Sequence, residues 1–366
     1  MDILIFIVVI VALIVVHEFG HFIAAKLSGM RVDEFGLGYP PRALTIAKVG
    51  GTEYTLNWLP FGGFVKIFGE DGLSADAPKD PRAFSSRPRI AQAIVLAAGV
   101  TMNLLFAYVL ITGALITGTP RALSESEVAG AEQTALAVAN VLPGSPAALA
   151  GIIPGDSILA AKDAEAEWRA IDPKSFSSFV AKSGGSDIVL TVKRGGEEQS
   201  ITAVPVAGII TSDPFRYALG VEVATIGVVP LSLGAALVEG ASLTWETTRI
   251  TAKGLVHFFY GVFTLSADLS QVAGPVGIAG AVGSASAQGI GDLLSIMAII
   301  SINLALINLI PIPALDGGRL LFVLIESVIR RPIKQSITRT MNAASFILLI
   351  LLMLVVTAHD IFKIVG

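Results

Sequence analysis

The sequence predicts an α-helical polytopic membrane protein of about four transmembrane helices, carrying a membrane-associated β-hairpin/sheet and an inserted α+β domain. Three observations carry this reading. First, the 366 residues are 53% hydrophobic and only 15% charged, where a soluble domain carries about 25% charged residues. The mean hydropathy is +0.75. Second, four separate stretches are long and apolar enough to span a bilayer. Third, a long polar stretch rich in turn residues separates the second of these from the third.

The first span covers residues 1–28. Ile3 to Val16 is apolar without interruption and runs straight into His17-Glu18-Phe19-Gly20-His21. The N-terminus lacks the basic region and small-residue cleavage site of a signal peptide, so this segment reads as retained. A loop at 29–89 follows. Within it, Thr45–Val49, Gly50-Gly51 and Thr52–Leu56 read as two strands around a tight turn. Phe61-Gly62-Gly63-Phe64-Val65-Lys66-Ile67 offers a further strand. Two readings of this region stand side by side. One is an amphipathic sheet resting on the membrane surface. The other is an edge, including Gly62 and Gly63, that captures an extended substrate by strand addition.

The second span, 90–118, contains no charged residue. The third, 291–318, ends in a proline-rich break, and the fourth covers 342–360. Between the second and third, residues 135–207 read as a compact domain. Leu142 to Leu159 gives a turn, a short helix and a Pro154-Gly155-Asp156 turn into a strand. Ile188–Arg194 and Gln199–Val204 form a closing hairpin around Gly195-Gly196. Residues 231–265 are helical. Glu239, Glu246, Arg249 and Lys253 fall near one face, at spacings of 7, 3 and 4. They suggest amphipathic helices, one or a pair, lying in the interface; a fifth span is the alternative.

Charge placement orients the chain. The 29–89 loop carries Arg31, Arg42, Lys48, Lys66, Lys79, Arg82, Arg87 and Arg89. The loop between the last two spans carries Arg319, Arg330, Arg331, Lys334 and Arg339. The positive-inside rule places both in the cytoplasm, with the 135–207 domain on the other side. A net charge of −4 argues against a nucleic-acid partner. The absence of cysteine excludes disulfides and thiolate metal sites.

Any metal must therefore use His, Asp or Glu. His17 and His21, four apart on a helix, lie about 40° apart around its axis and share one face. Glu18 lies between them and can take the proton of a nearby water. At roughly 1.5 Å per residue, the pair sits about 20 Å along an apolar helix. Ionisable groups at such depth are functional by default. Peptide-bond hydrolysis in or near the bilayer is the first inference. A catalytic zinc takes three protein ligands. His257 and His359 read as structural or solvated, so a carboxylate is needed. Asp316 supplies one in the run Asn308-Leu309-Ile310-Pro311-Ile312-Pro313-Ala314-Leu315-Asp316-Gly317-Gly318. Capping a helix that begins near Gly318 is the alternative role for Asp316.

The 135–207 domain resembles a bacterial PDZ domain, either a binding module or a spacer, with Gly151-Ile152-Ile153-Pro154-Gly155-Asp156 as its most specific run. Together with the His17–His21 motif and the Asn308–Gly317 run, it is similar to the site-2 protease family of intramembrane zinc metalloproteases. The bacterial group typified by the regulator of sigma-E protease is the most similar. The Gly62-Gly63-Phe64-Val65-Lys66 strand and Gly274-Pro275-Val276-Gly277 belong to the same resemblance. It implies Zn²⁺ held by His17, His21 and Asp316, with Glu18 as the base. It implies that Asn308, Pro311 and Pro313 help hold an unwound substrate helix. Gly99-Val100-Thr101-Met102-Asn103 matches the family's Gly-x-x-x-Asn pattern, with Val100 where many relatives have Pro. Asn103 is thereby a candidate substrate contact; a hydrogen bond to a neighbouring helix is the alternative. The expected substrates are single-pass transmembrane proteins, such as anti-sigma factors and remnant signal peptides. The expected location is a bacterial inner membrane. A non-catalytic PDZ scaffold and a metal transporter are the competing classes. Intact Glu18 and Asp316 disfavour the first, and the lack of a polar path through the other spans disfavours the second.

Overall fold

The computed structural model describes residues 2–70, 80–210, 213–264, 266, 273–331 and 333–365. Part of the 29–89 loop, residues 71–79, lies outside them. The chain divides into two compact units, Met1–Thr117 with Ser232–Gly366, and Gly118–Leu231.

In the first unit, helix α1 (Asp2–Leu27) leads into strands β1 (Val32–Val49) and β2 (Thr52–Ile67). The turn between them is Gly50-Gly51, with φ of +57° and +79°. Two successive positive φ values make the hairpin turn that glycine pairs favour. Val49 pairs with Thr52 and Thr45 with Thr55, as the sequence predicts. Both strands then bend back. Phe35 pairs with both Tyr54 and Val65, and Gly36 with both Thr55 and Phe64. The stretch around residues 34–37 therefore lies between the 52–56 stretch and the 63–67 stretch. Asp33, Glu34, Gly36 and Gly38, in and beside it, obscure the strand alternation, so the sequence pattern does not reveal it. Helix α2 (Arg89–Thr117) follows.

The second unit contains β3 (Pro120–Ala122), β4 (Glu132–Val141), α3 (Pro146–Leu149), β5 (Ser157–Lys162), β6 (Glu167–Trp168), α4 (Pro173–Lys182), β7 (Ile188–Arg194), β8 (Glu197–Ala203) and β9 (Val221–Val228). The sheet runs β3-β9-β4-β5-β7-β8, with β6 beside β5. The 135–207 boundary was too narrow. The sheet needs β9, which pairs with β4 from Val141↔Val221 to Glu132↔Val228. Leu136, Ile158, Phe176, Ile188, Leu190 and Leu219 form the core. Asp156 of the Pro-Gly-Asp turn is fully buried. Arg194 donates to it through Nε and Nη2, both at 2.7 Å. Those bonds hold the Asp156 carboxyl below the usual range, against the opposing effect of burial. The pair staples the turn to β7.

Returning to the first unit, the chain forms α5 (Leu233–Phe263), α6 (Pro275–Gln288), α7 (Ile290–Leu309), α8 (Asp316–Ile329) and α9 (Gln335–Val365). Four helices are long and apolar enough to cross a membrane: Ile3–Leu27, Arg89–Thr117, Ile290–Leu309 and Gln335–Phe362. Of the one or two helices expected over residues 231–265, the structure has one, α5. One expectation needs correction. The third span ends at Leu309, well short of residue 318. Pro311 and Pro313 lack an N–H and restrict the residue before each, so the helix cannot run through them. Val9, Leu13, Ala107, Leu110, Ala298 and Ile302 pack α1, α2 and α7 together. The alanines let the helices approach closely where no water drives association.

Candidate active site

His17 and His21 project from α1 into the unit and are 6% and 8% exposed. Asp316 reaches them from the far side of the proline break. After Leu309 the chain turns tightly, with Ile312 N–H donating to Ile310 O at 2.7 Å and Leu315 N–H to Ile312 O at 2.8 Å. Helix α8 then starts directly at Asp316. Its first turn lies hard against the break. A Cβ on Gly317 would sit 2.3 Å from Leu309 O, and one on Gly318 2.2 Å from Ile312 O. Only glycine permits such backbone proximity. The capping alternative fails, because Leu315 is the N-cap and α8 has no side-chain cap. The Asp316 carboxylate faces the imidazoles instead.

Asp316 Oδ2 lies 2.9 Å from His17 Nε2 and 3.2 Å from His21 Nε2. The two Nε2 atoms are 3.2 Å apart. Ligand atoms about 2.0–2.1 Å from a tetrahedral zinc lie about 3.3 Å from one another. The three atoms therefore already occupy the corners of one face of such a tetrahedron. The donor set of two imidazoles and one carboxylate also suits zinc. On the opposite side of the His21 ring, Nδ1 lies 2.8 Å from Val95 O. A carbonyl only accepts, so Nδ1 carries the proton and Nε2 stays bare for a metal. The residues present fit the ion.

Helix α2 forms the back wall. A Cβ on Gly99 would lie 2.3 Å from His21 Nε2 and 2.8 Å from His17 Cε1. Val95 and Gly99 are four residues apart, on the same face. One carbonyl and one missing side chain thus seat both rings. A side-chain reading cannot see the Val95 carbonyl. Gly99 was visible only as part of a motif.

Glu18 lines a cavity of about 320 Å³ with His21, Asp316, Phe64, Val65 and Arg319. The wall contributed by β2 is Phe64 to Ile67, part of a 63–67 stretch paired on one edge with the 32–37 stretch. Among the described residues, no strand pairs with its other edge. Gly63 is close to the base: a Cβ there would lie 3.7 Å from Glu18 Cγ. Gly62, at φ +95°, lies beside the Tyr39 ring. At the same cavity Arg319 of α8 forms an ion pair with Glu70, just past β2.

The other expected residues separate into three groups. Asn308 Nδ2 comes within 3.5 Å of His17 Nε2, on the ligand side. Pro311 is exposed and Pro313 half-buried; both shape the break and neither lines the cavity. Asn103 does not reach the cavity at all. It is 0% exposed, with its amide nitrogen 3.2 Å from His17 Nδ1, behind the ring. His257 on α5 and His359 near the end of α9 are not part of the ligand group.

Apolar spanning helices, two buried histidines converging with a half-buried aspartate, and an adjacent glutamate define a membrane-embedded metallopeptidase. The chain belongs to peptidase family M50, the site-2 protease family, matching it over residues 5–352. Relatives agree. A protein of Nostoc sp. (strain PCC 7120) named as a zinc metalloprotease is 35% identical over 96% of this chain and 93% of its own length. A Clostridium perfringens (strain 13) protein, also named as a zinc metalloprotease, is 34% identical over 96% of this chain and 95% of its own. The chloroplastic membrane metalloprotease ARASP of Arabidopsis thaliana is 32% identical over 88% of this chain and 70% of its own. The protein is an intramembrane zinc metalloprotease.

Proposed function

We propose that His17, His21 and Asp316 hold the zinc and that Glu18 is the general base for cleavage of single-pass membrane proteins. The convergence of the three ligand atoms, with Glu18 in the adjoining cavity, carries this reading. Bound there, zinc supplies Lewis acidity, acidifying a water and polarising a carbonyl. Glu18 takes the water's proton on a carboxylate oxygen and later delivers it to the leaving amine. His17 and His21 stay neutral donors, and Asp316 contributes the anionic one.

A transmembrane substrate hides its carbonyls in i→i−4 hydrogen bonds. It must unwind before attack. The unpaired edge of the 63–67 stretch offers backbone hydrogen bonds to an extended segment beside Glu18. The Asn308 amide, next to His17, offers one more donor. Gly62 and Gly63 let the substrate backbone approach, while Pro311 and Pro313 act at one remove, by ending the third span so that Asp316 can turn back toward the imidazoles. Anti-sigma factors and remnant signal peptides are the substrate class this suits. A non-catalytic scaffold has no use for a ligand set closed to within hydrogen-bond distance.

Asp316→Asn is expected to lower zinc content and cleavage together, because a neutral amide replaces the anionic donor. Elemental analysis and a cleavage assay on the purified variant check it. Full zinc with full activity would place the third ligand elsewhere.

The second unit reads as a PDZ domain on the extracytoplasmic side of a bacterial inner membrane. A groove supports the PDZ part of this reading: a cavity of about 330 Å³ lies between α4 and β9, lined by Phe176, Val180, Tyr217, Leu219 and Val221. In such a groove an extended segment adds to a strand edge. Deleting residues 118–231 should change which substrates are cut while the zinc site survives. Equal loss of cleavage for a full-length and a pre-trimmed substrate would mark the unit as a structural support. For orientation, a topology reporter near Arg82 should read cytoplasmic and one near Gly184 extracytoplasmic. The reverse pattern would overturn the charge argument.

A further inference from the structure

We infer that Asn103 is a positioning residue for His17, its amide oxygen accepting the Nδ1–H proton and so keeping Nε2 bare for the metal. This rests on the zinc reading above and departs from a substrate-binding role for Asn103.

A neutral imidazole carries one proton and one lone pair on its two nitrogens. A ring that ligates through Nε2 must hold its proton on Nδ1, and that proton needs an acceptor when buried. His21 meets the requirement through Val95 O. The group at His17 Nδ1 is the Asn103 amide, with Nδ2 at 3.2 Å. In that orientation the amide donates, which puts the ring proton on Nε2, the wrong nitrogen for ligation. The amide oxygen meanwhile is buried without a hydrogen-bond partner. Turning the amide by 180° about χ2 exchanges the two atoms. The oxygen then faces Nδ1–H and gains the donor it lacks. The terminal torsion of Asn is broad and roughly two-fold, so the turn requires no rotamer strain.

The surroundings hold Asn103 for this purpose. Its backbone carbonyl accepts a hydrogen bond from Ser301 Oγ at 2.8 Å. Asn103 and Ser301 are both 0% exposed. The bond fixes α2 against α7 at the depth of His17. Val95, Gly99 and Asn103 thus form one stripe on α2, each four residues from the next. The first orients His21, the second leaves room for both rings, and the third orients His17. Complete burial behind the ring also keeps Asn103 out of reach of a substrate in the cavity.

The test is zinc affinity, measured on the purified full-length protein by competition with a chelator. Asn103→Leu keeps roughly the same volume and removes the acceptor. Affinity should fall about 10–100-fold, the usual effect of losing a partner behind a metal-bound histidine. Asn103→Asp retains an acceptor and should stay within about threefold of wild type. If the Leu variant does not fold, judged by thermal unfolding, Asn103→Ala takes its place with the same expectation. Unchanged zinc affinity in the Leu or Ala variant overturns the inference, and a raised KM alongside it would restore the substrate role. Equal losses in the Asp and Leu variants also overturn it, marking a packing role only. Failure of the zinc reading itself shows separately, as unchanged affinity in His17→Ala.

Discussion

Glu18→Gln is expected to abolish cleavage while leaving zinc and fold in place. The side chain keeps its size and loses only its basicity. Glu18 is not one of the three converging ligands, so the metal should remain. Its neighbours are the cavity and the Gly63 backbone, and neither depends on a negative charge for packing. An amide cannot accept the water's proton or return one to the leaving amine. Loss of a general base typically costs about 10²–10⁴ in rate. Co-expression of a single-span substrate with wild type and variant gives the comparison, with zinc measured on the same preparations. Turnover near the wild-type level in a zinc-loaded Gln variant would remove Glu18 from the mechanism.

Much of the candidate ligand set was legible in the chain because its chemistry is local or follows by elimination. His17 and His21 are read from one helical turn, and the apolar run before them sets the depth. Asp316 follows from the lack of cysteine and from a proline break that a spanning helix tolerates only around a cavity. What stayed hidden depends on long-range pairing or on backbone atoms. The 34–37 stretch is a strand only because two distant stretches pair with its edges. Strand β9 lies far beyond the closing hairpin, and its place is set by β4. The acceptor for His21 is a carbonyl, which any residue at position 95 would present. Asn103 was visible as a motif residue, but its side of the histidine ring was not. That side separates a substrate contact from a ligand support.

The second large effect is expected from the smallest substitution, Gly99→Ala. A methyl there would lie 2.3 Å from His21 Nε2 and 2.8 Å from carbon atoms of both rings. Such contacts are well inside van der Waals distance, so one partner has to move. Helix α2 cannot easily withdraw: Val95 O holds His21, and Ser301 holds the carbonyl of Asn103. The rings must move instead, and they carry the ligand atoms. Taken alone, Gly→Ala in a helix interior is stabilising by roughly 0.5–1 kcal/mol. The helix should therefore persist while zinc affinity falls at least about tenfold and cleavage is lost. Gly113→Ala on the same helix is the control. Its nearest new contact is a flexible Leu294 methyl at 3.3 Å, so zinc and activity should be retained. Zinc affinity and the cleavage assay on both variants decide the matter. Wild-type zinc binding in Gly99→Ala would mean that α2 does not form the wall behind the ligands. Loss of zinc in both variants would point to general sensitivity of α2 rather than to the space that position 99 leaves for the two histidines.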